Sequence, residues 1–194
     1  MSRIEEFGVS IAMSDYIERY RDVEHFMGFC RECNAFGKTW ACPPYEQETS
    51  FAEYTHANLF ATKIWVDPSR CDVEMTPEQL REATAEILDP VRSELDDRLL
   101  ALESSIEGSR ALFAGSCRRC AKGECTRPDG QPCVKPYQMR PSLEAMGFDV
   151  GQSASELLGI ELQWSAGKLP QYFTLVYALF SRVEVADLQP LLML

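Results

Sequence analysis

The sequence predicts an α+β fold: a mixed or mainly antiparallel sheet covered by one long helix, with cysteine-rich metal-binding loops. Three observations carry this prediction. An apolar stripe recurs at helical spacing from Leu80 through Ala83, Ile87, Leu88, Val91, Leu95, Leu99 and Leu102 to Ile106. Short runs rich in β-branched and aromatic residues lie at 58–66, 110–114 and 171–181. Seven of the eight cysteines fall in two tight groups, Cys30, Cys33, Cys42 and Cys117, Cys120, Cys125, Cys133.

The elements follow in order. Residues 14–27 (SDYIERYRDVEHFM) read as a short amphipathic helix capped by Ser14 or Asp15, with Tyr16, Ile17, Tyr20, Val23, Phe26 and Met27 on one face. The first cysteine group comes next, in a loop with Gly28, Gly37 and Pro43–Pro44, a pair that cannot continue a helix or central strand. Residues 46–57 read as another short helix and 58–66 (NLFATKIWV) as a strand. Thr76-Pro77-Glu78-Gln79 is a capping box with proline at the first helical position, so the long helix starts there. Pro90 is expected to kink or divide it, and Gly108 to end it.

Residues 110–114 (RALFA) form a predicted strand that runs directly into the second cysteine group. Ser142 and Ser153 are expected to start two short helical segments, the second with Glu156 completing a capping box. Ile160, Leu162 and Trp164 alternate with polar residues as in a strand, and 171–181 (QYFTLVYALFS) reads as a more deeply buried one. Those two are expected to pair as a hairpin across 165–170. No repeat or low-complexity tract appears. The chain reads as a single metal-binding domain, 1–194. It comprises an N-terminal cysteine-containing segment, 1–57, and an α+β core with the second cysteine loop, 58–194.

At 194 residues the chain does not need cross-links to compensate for a missing core. Its formal net charge of −11 argues against nucleic-acid binding, which relies on neutralising phosphates. No apolar run is long enough to span a membrane, and the N-terminus, with acids early and no apolar core, does not resemble a secretory signal. A cytoplasmic setting is therefore expected, and a reducing one, where structural disulfides are rare. The clustered cysteines are then best explained as metal ligands. Cys71, alone, reads as an ordinary core thiol.

The second group spaces four thiols within 17 residues, Cys117-x2-Cys120-x4-Cys125-x7-Cys133, among Gly115, Gly123, Gly130, Pro128 and Pro132 that let the chain wrap. Four thiolates suit either tetrahedral zinc or a [4Fe–4S] cubane. Residues 117–140 hold six basic side chains (Arg118, Arg119, Lys122, Arg127, Lys135, Arg140) against two acids (Glu124, Asp129), a formal +4 where the rest of the chain is −15. Such cations are expected to lower thiol pKa values and stabilise an anionic centre, or to dock an acidic partner or anionic substrate. The first group, Cys30-x2-Cys33 and Cys42-Pro43-Pro44, has three cysteines. Its fourth ligand is Cys71, His25, His56 or none, and three ligands would leave an open, reactive position. There is no dinucleotide fingerprint, P-loop or HExxH motif.

CRECNAFGKTWACPPY (30–45) resembles the CxxC…WxCPPY segment of the DUF2284 family of predicted metal-binding proteins, and AGSCRRCAKGECTRPDGQPCVKPYQMRPSLEAMGFDV (114–150) is similar to its second signature. The resemblance spans most of the chain. It implies metal binding by these cysteines and supplies no reaction. Within it, Arg140 to Gly147 reads as a turn into a helix capped by Ser142. Together the residues and the resemblance point to an iron–sulfur protein with one [4Fe–4S] centre on Cys117, Cys120, Cys125 and Cys133, or with two, the second on Cys30, Cys33 and Cys42. Its expected role is electron transfer to or within a redox partner protein. The alternatives are a zinc-stabilised, non-catalytic binding module, and an enzyme using a three-cysteine cluster with an open iron site; the expected partner is a redox protein or an anionic small molecule.

Overall fold

The computed structural model describes residues 3–46, 49–120 and 124–185. The expected α+β architecture is present. Strands β1 (Ile4–Ala12), β2 (His56–Trp65), β3 (Arg110–Leu112) and β4 (Tyr172–Ser181) form one sheet in the order β1-β2-β4-β3. All three strand pairs are antiparallel, with Ile4 opposite Ile64, His56 opposite Ser181, and Arg110 opposite Phe180. The helices are α1 (Met13–Tyr20), α2 (Val23–Glu32), α3 (Pro68–Cys71), α4 (Pro77–Ser105) and α5 (Val150–Leu158).

The central strands are apolar on both faces because both faces are covered. Ala57, Leu59 and Ala61 of β2, with Val176, Ala178 and Phe180 of β4, pack against α1, α5 and the segment 143–148. The alternate residues, Phe60, Ile64, Leu175, Tyr177 and Leu179, pack against Leu95 and Leu99 of α4. The long helix is therefore the cover of one face, as expected. Its capping box is formed: Gln79 N–H donates to Thr76 Oγ1 at 3.3 Å and Thr76 N–H to Gln79 Oε1 at 2.9 Å. The helix runs on past Pro90 without division. None of the described helices is long and apolar enough to cross a membrane.

Several expectations are corrected. The single helix over 14–27 is two, broken at Arg21 and Asp22. Arg21 leaves the helix to bridge Phe148, Asp22 N–H donates to Gly147 O at 2.8 Å, and Asp22 then caps α2 by accepting from His25 N–H at 3.0 Å. Tertiary pairing thus overrides a continuous apolar stripe. The helix over 46–57 does not form among its described residues, where Phe51 enters the core and β2 begins at His56. The second short helix starts at Asp149, whose carboxylate accepts from Gln152 N–H at 2.8 Å. Ser153 lies inside it, and Glu156 accepts from Tyr20 OH instead of completing a cap. No strand forms at 160–164: Gln163 Oε1 accepts from Gln171 N–H and Tyr172 OH donates to Glu161 O, while β2 takes the full edge of β4 where a hairpin partner would lie. β1, which belongs to the 1–57 segment yet pairs along all of β2, had no strand expectation. Its two consecutive acids and Gly8 dilute the alternation.

Candidate metal centre

The first cysteine loop grows from the end of α2. Cys30 sits in its last turn and Cys33 is its C-cap, with Cys33 N–H donating to Cys30 O at 3.1 Å. The chain then folds back: Gly37 N–H donates to Pro43 O at 2.8 Å, with Gly37 at φ +68°, and Cys42 N–H donates to Thr39 O at 3.1 Å. Cys42 ends buried, Cys30 half-buried and Cys33 exposed. The start of α2 is fixed by a close approach. Gly147, at φ +87°, lies so near Val23 that a Cβ there would meet its Cα at 2.9 Å.

The second loop is tied to the sheet and to α4. Phe113 N–H donates to Pro141 O at 2.9 Å, Arg92 of α4 donates to Ala114 O, and Gly115 turns beside that guanidinium at φ +75°. Arg118 pairs with Asp89 and Arg119 with Asp97 at 2.6 Å, both acids on α4. Lys135 Nζ donates to Arg119 O at 2.5 Å, and Arg140 pairs with Glu103 at 2.7 Å with both side chains nearly buried. Arg118, Arg119 and Arg140 thus clamp the loop to the acidic helix, while Lys135 bonds within the loop. Lys122 lies outside the described residues.

The two loops lock together through Trp40, for which no role was expected, and Arg127, which was expected only as one of the cations of the basic loop. Trp40 Nε1 donates to Gln131 O at 3.1 Å and reaches Thr126 Oγ1 at 3.4 Å. Arg127 donates to Thr39 O at 2.6 Å and also to Cys42 O and Pro44 O, with its guanidinium 5.5 Å from the centre of the Trp40 ring. The available signal was general: an indole N–H and a guanidinium near a packed turn both need acceptors.

Burial pushes the Cys30, Cys42 and Cys117 thiols up, and at Cys117, which lies in the basic loop, this corrects the expectation that cations would lower the thiol. Neighbouring thiols add to the rise: Cys42 and Cys33 act on Cys30, Cys33 and Cys125 on Cys42, and Cys120 and Cys133 on Cys117. Metal binding to these thiols must displace protons. All eight cysteines are free thiols. Cys71 packs beside Val66, Leu169 and Phe173, its Sγ 3.4 Å from Pro170 O; His25 meets Phe26 and Phe29 edge-on, and His56 bonds Thr55. Among the described residues, no three His, Cys, Asp or Glu side chains are gathered closely enough to ligate one metal ion as they stand. The donors fit a soft thiolate-bound centre by chemistry, and binding one would draw the thiols of these loops together.

Asp96 of α4 is the acid that bears on Cys117. Burial pushes its carboxyl to about 6, despite Arg92 and Arg119 nearby. The folded state thus holds the proton more tightly than the unfolded chain. Stability is unaffected by this group below about pH 4 and falls as pH rises to about 6, by at most about 3 kcal/mol. Asp96→Asn in metal-free protein should abolish that decline, so that urea unfolding at pH 7.5 finds the variant more stable than the parent. Equal stabilities at pH 4 and 7.5 for both would refute it.

Among curated proteins and among solved structures, none matches this chain. The family model of DUF2284, described as a predicted metal-binding protein, matches residues 17–178, which takes in both cysteine loops, and the chain belongs to that family.

Proposed function

We propose that the chain is an iron–sulfur protein in which the thiols of the two loops hold at least one [4Fe–4S] centre that exchanges electrons with a partner protein. The observation that carries this reading is the assembly of the loops. Seven free thiols lie at the end of α2 and on two loops that Trp40 and Arg127 fasten to each other, the second of which Arg92, Arg118 and Arg119 fasten to α4. Nothing in the packing of the sheet requires so many thiols outside it. Arg119 supports the same reading: its Nε, shielded from solvent and one residue from Cys120, has no hydrogen-bond partner among the described residues. A buried donor left this way is costly, and an anionic thiolate-bound centre supplies its acceptor. The centre, when bound, would carry one electron at a time, and the guanidiniums around it would favour the added negative charge.

Protein prepared without oxygen tests the reading. The expected product is brown, with about four iron and four sulfide per chain for one centre or about eight of each for two. One or two equivalents of zinc with no iron, in colourless protein, would replace it with the zinc-stabilised module.

A further inference from the structure

The sequence groups Cys125 with Cys117, Cys120 and Cys133. The fold places it elsewhere. Thr126 and Arg127, the two residues that follow Cys125, are fastened to the first loop, as is Gln131: Thr126 Oγ1 lies 3.4 Å from Trp40 Nε1, Gln131 O accepts from the same indole at 3.1 Å, and Arg127 donates to the carbonyls of Thr39, Cys42 and Pro44. With consecutive Cα atoms about 3.8 Å apart, Cys125 cannot stray far from residues so held. Cys133, by contrast, is followed by Lys135, whose ammonium bonds the carbonyl of Arg119, between Cys117 and Cys120. The stretch from Thr126 to Gln131 is therefore pinned to the first loop, directly after Cys125, and the chain returns to the second loop only beyond Cys133.

We infer that Cys125 is the fourth ligand of the first site, so that Cys30, Cys33, Cys42 and Cys125 form a closed four-thiolate centre while Cys117, Cys120 and Cys133 form a separate three-thiolate site. This inference rests on the proposed metal-binding role. The electrostatic neighbours agree with the regrouping, since Cys125 acts on Cys42, and Cys120 and Cys133 act on Cys117. It also answers the question left by three cysteines in the first loop: Cys71, His25 and His56 are engaged elsewhere. The open coordination position then belongs to the second site, the reverse of the sequence expectation. A four-thiolate set suits [4Fe–4S] and zinc alike.

The test is a set of serine variants of the full chain, prepared without oxygen, with iron, zinc and sulfide measured per folded chain. Cys42→Ser and Cys125→Ser should each lose the same centre, and the double variant should lose no more metal than either alone. Cys125→Ser combined with Cys133→Ser should lose metal additively. If Cys125→Ser and Cys133→Ser instead remove one shared centre, or if Cys125→Ser loses none, the regrouping is wrong. Zinc in place of iron would sink the iron–sulfur reading and leave the grouping testable by the same pattern. Should a variant fail to fold, metal-free parent protein treated with a short bifunctional thiol reagent gives a second readout. Peptide mapping should link Cys125 to Cys42, Cys33 or Cys30, and links to Cys117 or Cys133 would overturn the proposal.

Discussion

Stripping the metal from the folded protein should free residues 30–44 and 114–139 while leaving the four-stranded sheet in place. The loops are held by turns, a few long side chains and isolated backbone bonds, and hold little regular structure of their own. The sheet, by contrast, has an apolar core on each face that includes none of the seven clustered cysteines. Binding free energy at structural thiolate sites, about 10–16 kcal/mol for zinc in small peptides, exceeds anything the loop hydrogen bonds supply at about 1 kcal/mol each. Hydrogen exchange with and without a chelator measures the effect. Amides in both loops should exchange at least about tenfold faster without metal, equivalent to about 1.4 kcal/mol of opening free energy, and those of β2 and β4 should not change. Loss of protection across the sheet as well would show that the loops support the core, contrary to the packing described.

What the sequence disclosed follows the range of the interactions involved. The capping box of Thr76 and Gln79, the long stripe of α4 and the apolar runs of β2 and β4 are local patterns, and each appears close to its expected bounds. Tertiary partners decided the rest. Asp22 caps α2 because Arg21 is drawn away to Phe148, more than a hundred residues distant in sequence. β1 is a strand because β2 offers it an edge, not because its own pattern is strong. In the cysteine loops, residue type and spacing pointed to metal binding, which the family shares, while the proposed grouping of the thiols depends on contacts between the loops. Spacing along the chain favoured Cys125 with Cys120, whereas the next two residues face the first loop, Thr126 toward Trp40 and Arg127 toward Cys42 O. The basic residues of the second loop suggested a docking face because their partners, Asp89 and Asp97, stand on a distant helix.

Phe148→Ala should be among the most destabilising single substitutions in the chain, at about 3–5 kcal/mol. The ring is fully buried. It stacks on Tyr16 at 4.7 Å between centroids and nearly parallel, and meets Phe51 at 5.5 Å and Phe180 at 5.6 Å edge-on. Arg21 lays its guanidinium 5.8 Å from its centre. Alanine would remove the shared partner of three aromatic rings and leave a cavity that side chains from α1, β4 and the Phe51 turn cannot all collapse to fill. The loss is a large part of a total stability of about 5–15 kcal/mol, well beyond the roughly 1 kcal/mol expected for removing a helix cap such as Thr76. The residue also bears on the metal loops. Around it, Asp149 N–H donates to Tyr20 O at 2.7 Å and Asp22 N–H to Gly147 O at 2.8 Å, and these bonds set where α2, with Cys30, begins. Urea unfolding measures the stability, and metal per folded chain at low temperature separates the two roles. Phe148→Leu should recover most of the stability, since it restores apolar volume. If alanine costs less than about 1 kcal/mol, the aromatic cluster is not the keystone of this face, and the hold on α2 must come from the backbone bonds alone.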